Sequence, residues 1–395
     1  MPWEIKFDNL PIGYATSAGK PGDEVMVSSI EFTSTEDGEH FVSRLEGFPS
    51  EVLRKIDSTP PIPESSVNHM LVVVRTDNSG TAYINELSIK GLMQPKRDIK
   101  AGEALFKNDI ADISEIQFDD VDIPSECGIL FLFSIGWRKG LYFDFSPLHP
   151  KDGGARIYDL NKRLAQLYLY LMFQERFKIP NEAWTQLFLQ MWFPFISLSV
   201  DTTQALVNYA TNSWSIDDLL PQVSNEVLSG LPKWLEKWKR IDQFSSHIAI
   251  LEKANERFSD KDYISTVSIL YPRIEGIMRS HHYAESPDER GTQSNLVKST
   301  LSAVDAEFNP KLLLLPEKFK NYLEDIYFAN FDPKDPKGSS RNTVSHGVAN
   351  ASEFSEKSAC IGFLIIEQLT FYLSKNKNSN NQLNEDAPKN GAPVS

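Results

Sequence analysis

The hydrophobic pattern of this chain changes period once, near Asp159, and that change limits the folds open to it. Upstream, apolar residues come in short β-branched or aromatic runs broken by turn residues. The string HMLVVVRTDNSGTAYINEL (69–87) is such a run, an Asn-Ser-Gly turn and an alternating return, which is the pattern of a β-hairpin. CGILFLFSIGWRKGLYFDFSPL (127–148) repeats it, with strands expected at Ile129–Phe133 and Leu141–Phe145 and a turn over Gly136–Gly140. Trp137, Arg138 and Lys139 would sit at its tip, either as an ordinary loop or as a ligand contact. Downstream of Asp159, apolar residues recur at helical spacing instead.

The reading is therefore an α+β chain: a β-rich domain over 1–150, a helical middle region over 151–240, a helical domain over 241–375 and a disordered tail over 376–395. Asp159 is the expected cap of the first long helix. Trp234 and Trp238, spaced i, i+4, are expected to share one buried face. Ser245 or Ser246 would cap a helix presenting Ile248, Leu251 and Phe258. A second helix, from near Asp260, aligns Tyr263, Val267, Leu270, Ile274 and Ile277, with a kink expected at Pro272. A third falls within 293–308. A fourth, with Pro316 in its first turn, carries Phe319, Tyr322, Leu323, Ile326 and Tyr327 on one stripe. A last helix, from Ser352 or Ser355 to Leu373, is apolar nearly all round and so is expected to be buried on several sides.

Composition narrows the class. The chain has 395 residues, 41% hydrophobic and 24% charged, as in ordinary globular proteins. Its two cysteines, Cys127 and Cys360, have no CxxC partner, which argues against disulfide scaffolds and cysteine zinc sites and fits the cytoplasm. LFLQMWFPFISLSV (187–200) and IGFLIIEQLTFYL (361–373) are apolar but short or interrupted, so both read as buried helix and no membrane segment is expected. The net charge of −14 argues against a broad basic footprint for duplex DNA. Residues 241–375 hold 15 basic against 19 acidic side chains, whereas 1–240 hold 23 against 33, so a small basic site in the C-terminal part is compatible with the total.

GSSRNTVSHGVAN (338–350) is the string that carries chemistry-bearing residues close together. Ser339 or Ser340 can cap a short helix beginning at Arg341, and Gly347 can end it in the left-handed conformation. Asn342 and His346 are then i, i+4 neighbours, while Arg341 lies about 140° from His346 around the axis. Bringing arginine and histidine onto one substrate is easier if the helix meets a second surface, such as its own copy across a two-fold axis. The residue types suit RNA cleavage. Histidine can take and return a proton near neutral pH, and arginine offers a planar fork of donors to a phosphate gaining charge. The ribose 2′-hydroxyl is the nucleophile, so neither a metal nor another cofactor is required. A capped helix with a surface arginine and a satisfied histidine explains the same string without function.

The string and its setting resemble the HEPN superfamily, compact bundles of four or five helices with an R-x(4–6)-H hallmark, often with Asn after the arginine. Here that reads Arg341-Asn342-Thr343-Val344-Ser345-His346, and YISTVSILYPRIEGIMR (263–279) resembles an upstream helix of bacterial members. Over residues 246–374, the resemblance implies a homodimer with both motifs lining one cleft. It also implies metal-independent endoribonuclease activity leaving a 2′,3′-cyclic phosphate, often in toxin or antiviral defence. Arg341 would stabilise the phosphate of a single-stranded RNA, His346 would act as general base or acid, and Asn342 would position them. Glu275 and Arg279 are accessory candidates, either a structural ion pair or an orienting carboxylate for Arg341; Ser345 is a third. The alternatives are a catalytically silent HEPN module that dimerises or binds RNA or a nucleotide, and a structural partner of a second defence protein. His281 and His282 point to different sides of a helix end with no third ligand in view, so no metal site is expected. No P-loop, GxGxxG, GxSxG or HExxH string is present.

Overall fold

Met70, Val72 and Val74 point to one side of a strand and Leu71 and Val73 to the other, yet all five are buried. A strand this apolar needs cover on both faces. The computed structural model describes residues 2–11, 15–16, 20, 27–28, 30–34, 47–135, 138–148, 154–301, 312–332, 334 and 338–373. Trp137, residues 302–308 and the tail 376–395 lie outside them. The chain divides into two compact units, Met1–Gln94 with Ile113–Phe177, and Pro95–Asp112 with Lys178–Ser395. Helix outweighs strand, 53% against 15%, and the two are segregated along the chain as an α+β layout.

The first unit is built on strands β1 (Trp3–Lys6), β2 (Ala15–Thr16), β3 (Val27–Ser28), β4 (Ile30–Ser34), β5 (His69–Val74), β6 (Ser79–Ile84), β7 (Ile89–Pro95), β8 (Ile110–Phe118), β9 (Gly128–Ile135) and β10 (Arg138–Asp144). Six form one antiparallel sheet in the order β1-β6-β5-β9-β10-β4, while β2-β3 and β7-β8 are two-stranded ribbons. Both expected hairpins are present, but in the second Arg138, Lys139 and Gly140 are not part of the turn: they belong to β10 and pair with Ile135, Ser134 and Phe133 of β9. Asn78, at φ 67°, supplies the left-handed turn between β5 and β6. In the register, Val72 faces Ala82 on one side and Leu130 on the other. Helix α1 (Gly47–Lys55) contributes Val52 to a core with Met70, Val72, Val74 and Phe143. Helix α2 (Leu160–Met172) lays Tyr168 on Phe133, ring centroids 5.8 Å apart, and the short α3 (Gln174–Phe177) follows. Asp159 caps α2 by accepting from the Asn161 and Lys162 N–H groups. The buried Asp144 at the end of β10 accepts from Ser146 N–H at 3.0 Å, Tyr158 Oη at 2.5 Å and Arg156 Nε at 3.3 Å. That network ties the segment before α2 to the sheet.

The second unit is helical: α4 (Asn181–Leu189), α5 (Val200–Thr211), α6 (Leu220–Trp238), α7 (Ile248–Ser259), α8 (Tyr263–Glu285), α9 (Gln293–Leu301), α10 (Pro316–Tyr322), α11 (Arg341–Ser345) and α12 (Glu356–Leu373). The segment 151–240, expected as one region, is thus shared between the units. Residues 178–238 belong with the C-terminal helices because Lys237 Nζ and Trp238 Nε1 both donate to Glu367 of α12, at 2.5 and 2.8 Å. The central helix α12 is buried along nearly its whole length, as its all-round apolar pattern implies. Ser355 precedes it and accepts from Ser358 N–H at 3.2 Å. Gly362 lets α8 approach closely, since a Cβ there would lie 2.9 Å from Leu270 Cδ1.

Four local expectations are corrected. Residues 187–200 do not form one helix: α4 stops at Leu189, Met191 takes φ 58°, and Trp192, Phe193 and Phe195 are fully buried in irregular chain, where Phe195 N–H turns back onto Phe193 O at 2.8 Å. Pro194 lacks the N–H that a helix there would need. Neither Ser245 nor Ser246 caps α7; His247 occupies that position. Trp234 and Trp238 do not share a burial state, because Trp238 is fully buried while Trp234 is half-buried. The fourth helix loses its stripe at Ile326, which is half-exposed. Leu323–Tyr327 widens into a π-turn, closed by Phe328 N–H on Leu323 O at 2.8 Å, and Phe328 is buried instead. Helix α8 runs unbroken from Tyr263 to Glu285 through Pro272. Among the described residues, no helix is long and apolar enough to cross a membrane.

Candidate functional site

Ser340 opens α11 with a reciprocal cap. Its hydroxyl accepts from the Thr343 N–H at 3.1 Å, and its own N–H donates to Thr343 Oγ1 at 3.0 Å. Gly347, at φ 71°, closes the helix in the left-handed region. One short, rigid turn therefore carries Arg341, Asn342, Ser345 and His346, as the string implied.

Asn342 is buried, 6% exposed, and its amide is fully used. Its Nδ2 donates to Phe328 O at 2.9 Å and Ala329 O at 3.3 Å, carbonyls left unpaired where the π-turn ends. Its Oδ1 accepts from Gln293 Nε2 at 2.9 Å and Arg341 Nη1 at 3.1 Å. With both donors and both lone pairs engaged, Asn342 pins α11 to two neighbouring segments and to its own arginine. Ser340 Oγ adds a bond to Ala329 O at 3.0 Å.

The Arg341 side chain reaches α8, where its Nε forms an ion pair with Glu275 Oε2. Arg279 Nε and Nη2 donate to the other oxygen, Glu275 Oε1, at 2.9 and 2.7 Å. Glu275 is thus a carboxylate only 4% exposed, bracketed by two guanidiniums. It does not lie on the outer side of α8, because α11 covers it. The two alternatives for this residue coexist: it pairs with Arg279 along the helix and holds Arg341 across to the next. Arg341 keeps 23% of its side chain exposed, and its Nη2 has no hydrogen-bond partner among the described residues.

His346 is exposed. Its ring centroid lies 5.8 Å from that of Phe331, tilted by 51°, and it makes no hydrogen bond to a described residue. Although its N–H donates to Asn342 O at 3.1 Å, the two side chains do not form a row. His346 is the C-cap residue, at φ −86° and ψ 0°, so its imidazole turns out to solvent while Asn342 points in. Ser345 beside it is also exposed.

The other histidines of this unit are structural. Both rings of the His281–His282 pair are buried and meet Ser299 rather than opposite sides of the helix end. His281 Nε2 lies 3.3 Å from Ser299 O, His282 Nδ1 lies 3.2 Å from Ser299 Oγ, and His282 Nε2 lies 3.1 Å from Glu289 O. Burial holds the His281 pKa below the usual histidine range. His247, also buried and shifted down chiefly by desolvation, lies against Gly276, where a Cβ would come within 2.9 Å of its ring. That explains the glycine of the Ile-Glu-Gly string. Among the described residues, no group of three or more His, Cys, Asp or Glu is placed to hold a metal ion.

The site therefore unites Arg341, Asn342, Glu275 and Arg279, with His346 and Ser345 at its solvent edge. Sequence reasoning missed Gln293 and the carbonyls of Phe328 and Ala329, which become partners only once the π-turn frees them. Comparison of the chain with protein-family models, with curated proteins and with solved structures gave no match in any of the three.

Proposed function

We propose that this chain is a HEPN-type, metal-independent endoribonuclease that acts as a homodimer in the cytoplasm on single-stranded RNA. The observation that carries the reading is the contrast within α11: an arginine fixed from two sides with one nitrogen unspent, next to an exposed, unbonded imidazole. Arg341 would hold a phosphate oxygen as charge builds on it. His346 of one or the other copy would take the proton of the 2′-hydroxyl, and its counterpart would return one to the leaving 5′-oxygen. Asn342 and Glu275 are positioning residues that hold Arg341 without touching substrate. The resemblance further implies a role in bacterial toxin or antiviral defence, with the sheet unit as sensor or recruiter and a possible second defence protein as partner.

One observation favours a second reading, a silent module for dimerisation or RNA binding. Glu275 and Asn342 already take Arg341 Nε and Nη1, so part of its donor set is spent in the free protein. Incubating the protein and its His346→Ala variant with mixed RNA in EDTA separates the two. Cleavage by the parent alone is expected. Equal cleavage by both, or binding without cleavage by the parent, would favour the silent module.

A further inference from the structure

A cleft of about 1310 Å³ lies within the helical unit, between the loop 95–103 and the C-terminal half of α6. Six basic side chains line it against three acidic ones, in a chain whose net charge is −14. Much of that charge is committed to building the walls. Arg97 pairs with Asp109 at 2.7 Å and Glu103 at 2.5 Å, Arg240 with Asp98 at 3.2 Å, and Lys237 with the buried Glu367 at 2.5 Å. Lys100 and Lys233 are different. Both are exposed, and neither has an ion-pair partner among the described residues. Trp234, half-buried, lines the same cleft. Its indole lies against Gly230, where a Cβ would come within 2.6 Å of the ring. The bare glycine thus lets a large aromatic surface lie down on α6 at the cleft wall.

We propose that this cleft binds a segment of single-stranded RNA, with a base stacked on Trp234 and phosphates paired with Lys100 and Lys233. An aromatic surface and uncommitted cations lining one cleft are the chemistry that recognises unpaired nucleotides. The volume exceeds the roughly 300–1,000 Å³ typical of small-molecule pockets, which favours a strand over a free mononucleotide. The choice of RNA over DNA rests on the ribonuclease reading; stacking and phosphate pairing do not. The cleft also supplies the local basic footprint that an acidic nuclease needs.

The test uses the full-length His346→Ala protein in EDTA, which leaves the probe intact, and a fluorescent 12-nucleotide RNA read by anisotropy. Trp234→Leu should weaken binding at least fivefold, the low end of base stacking at ~1–3 kcal/mol. Lys100→Glu with Lys233→Glu should weaken it more than tenfold and make the salt dependence shallower by about 1.4 in log–log slope. Trp234→Phe should retain most of the affinity. Should Trp234→Leu melt early, the exposed lysine pair carries the test. Parent-like binding by the lysine double variant overturns the proposal, as does full displacement of the RNA by an equimolar amount of ATP. Variant-sensitive binding alongside an inactive wild type would leave the cleft standing and remove the ribonuclease reading. Cleavage by the wild type with insensitive binding would do the reverse.

Discussion

Glu275→Gln is the perturbation that reads most directly on how Arg341 is held. The substitution keeps the shape and removes the charge between two guanidiniums. Breaking a fully buried ion pair costs ~3–5 kcal/mol. Here the side chains of Arg341 and Arg279 are 23% and 40% exposed, so water recovers part of the loss. About 2 kcal/mol of local stability at α11 is the reasoned value, with the smaller share from Arg279. Because the chain has two units, a global unfolding curve would mix transitions, and local amide hydrogen exchange is the better assay. At 1.36 kcal/mol per tenfold, peptides spanning 338–350 should exchange about thirtyfold faster. Arg341→Gln should accelerate the same peptides, and the double variant should be less than additive. An acceleration below about threefold for Glu275→Gln, or strict additivity, would refute the idea that this carboxylate anchors the arginine.

Asn342→Ala should leave the buried Phe328 carbonyl without its donor and Ala329 O with Ser340 Oγ alone, at ~2 kcal/mol, and lower the melting temperature of the helical unit by about 4–8 °C; differential scanning calorimetry would show it. His346→Ala, by contrast, removes an exposed side chain with no described hydrogen bond and should leave that temperature unchanged. The folded-state pKa of His281 is lowered by burial, so its contribution is fully present above the unfolded value near 6.5 and is lost as pH falls through the folded value. Stability curves below pH 6.5 should accordingly be flatter for His281→Gln than for the parent. Glu367 is the opposite case: desolvation raises its pKa against the pull of Lys237 and Trp238, so its contribution declines as pH rises above 4.5. Measured between pH 5 and 7, the stability of Glu367→Gln relative to the parent should improve with rising pH.

Where the periodic signal was strong, the fold was legible. The two hairpins, the Asp159 cap, the stripe of α8 and the burial of α12 all follow from spacing, because burial on one face or on all faces imposes a period. What failed was local and aperiodic. The irregular run around Pro194 is as apolar as a helix, and only the missing N–H betrays it. The π-turn at Leu323–Tyr327 shifts one residue out of register, and nothing in the apolar pattern marks the shift. At the candidate site, the short helix, its Ser340 cap and its Gly347 stop could be read from residue types alone. Tertiary partners could not: the role of Asn342 depends on carbonyls 13 and 14 residues upstream, and that of Glu275 on a helix some 66 positions later. Trp234 was read as core because i, i+4 spacing describes a face without saying what covers it. Gly230 and the loop 95–103 decide that instead.

The most direct measurement replaces the ribose at a mapped cleavage position of an RNA probe with 2′-deoxyribose and assays both substrates in EDTA. The ribose substrate should be cut to a 2′,3′-cyclic phosphate and a 5′-hydroxyl by the parent but not by His346→Ala, and the deoxy linkage should survive. Cleavage at the deoxy position, or 5′-phosphate ends on the products, would contradict attack by the 2′-hydroxyl and with it the roles given to Arg341 and His346.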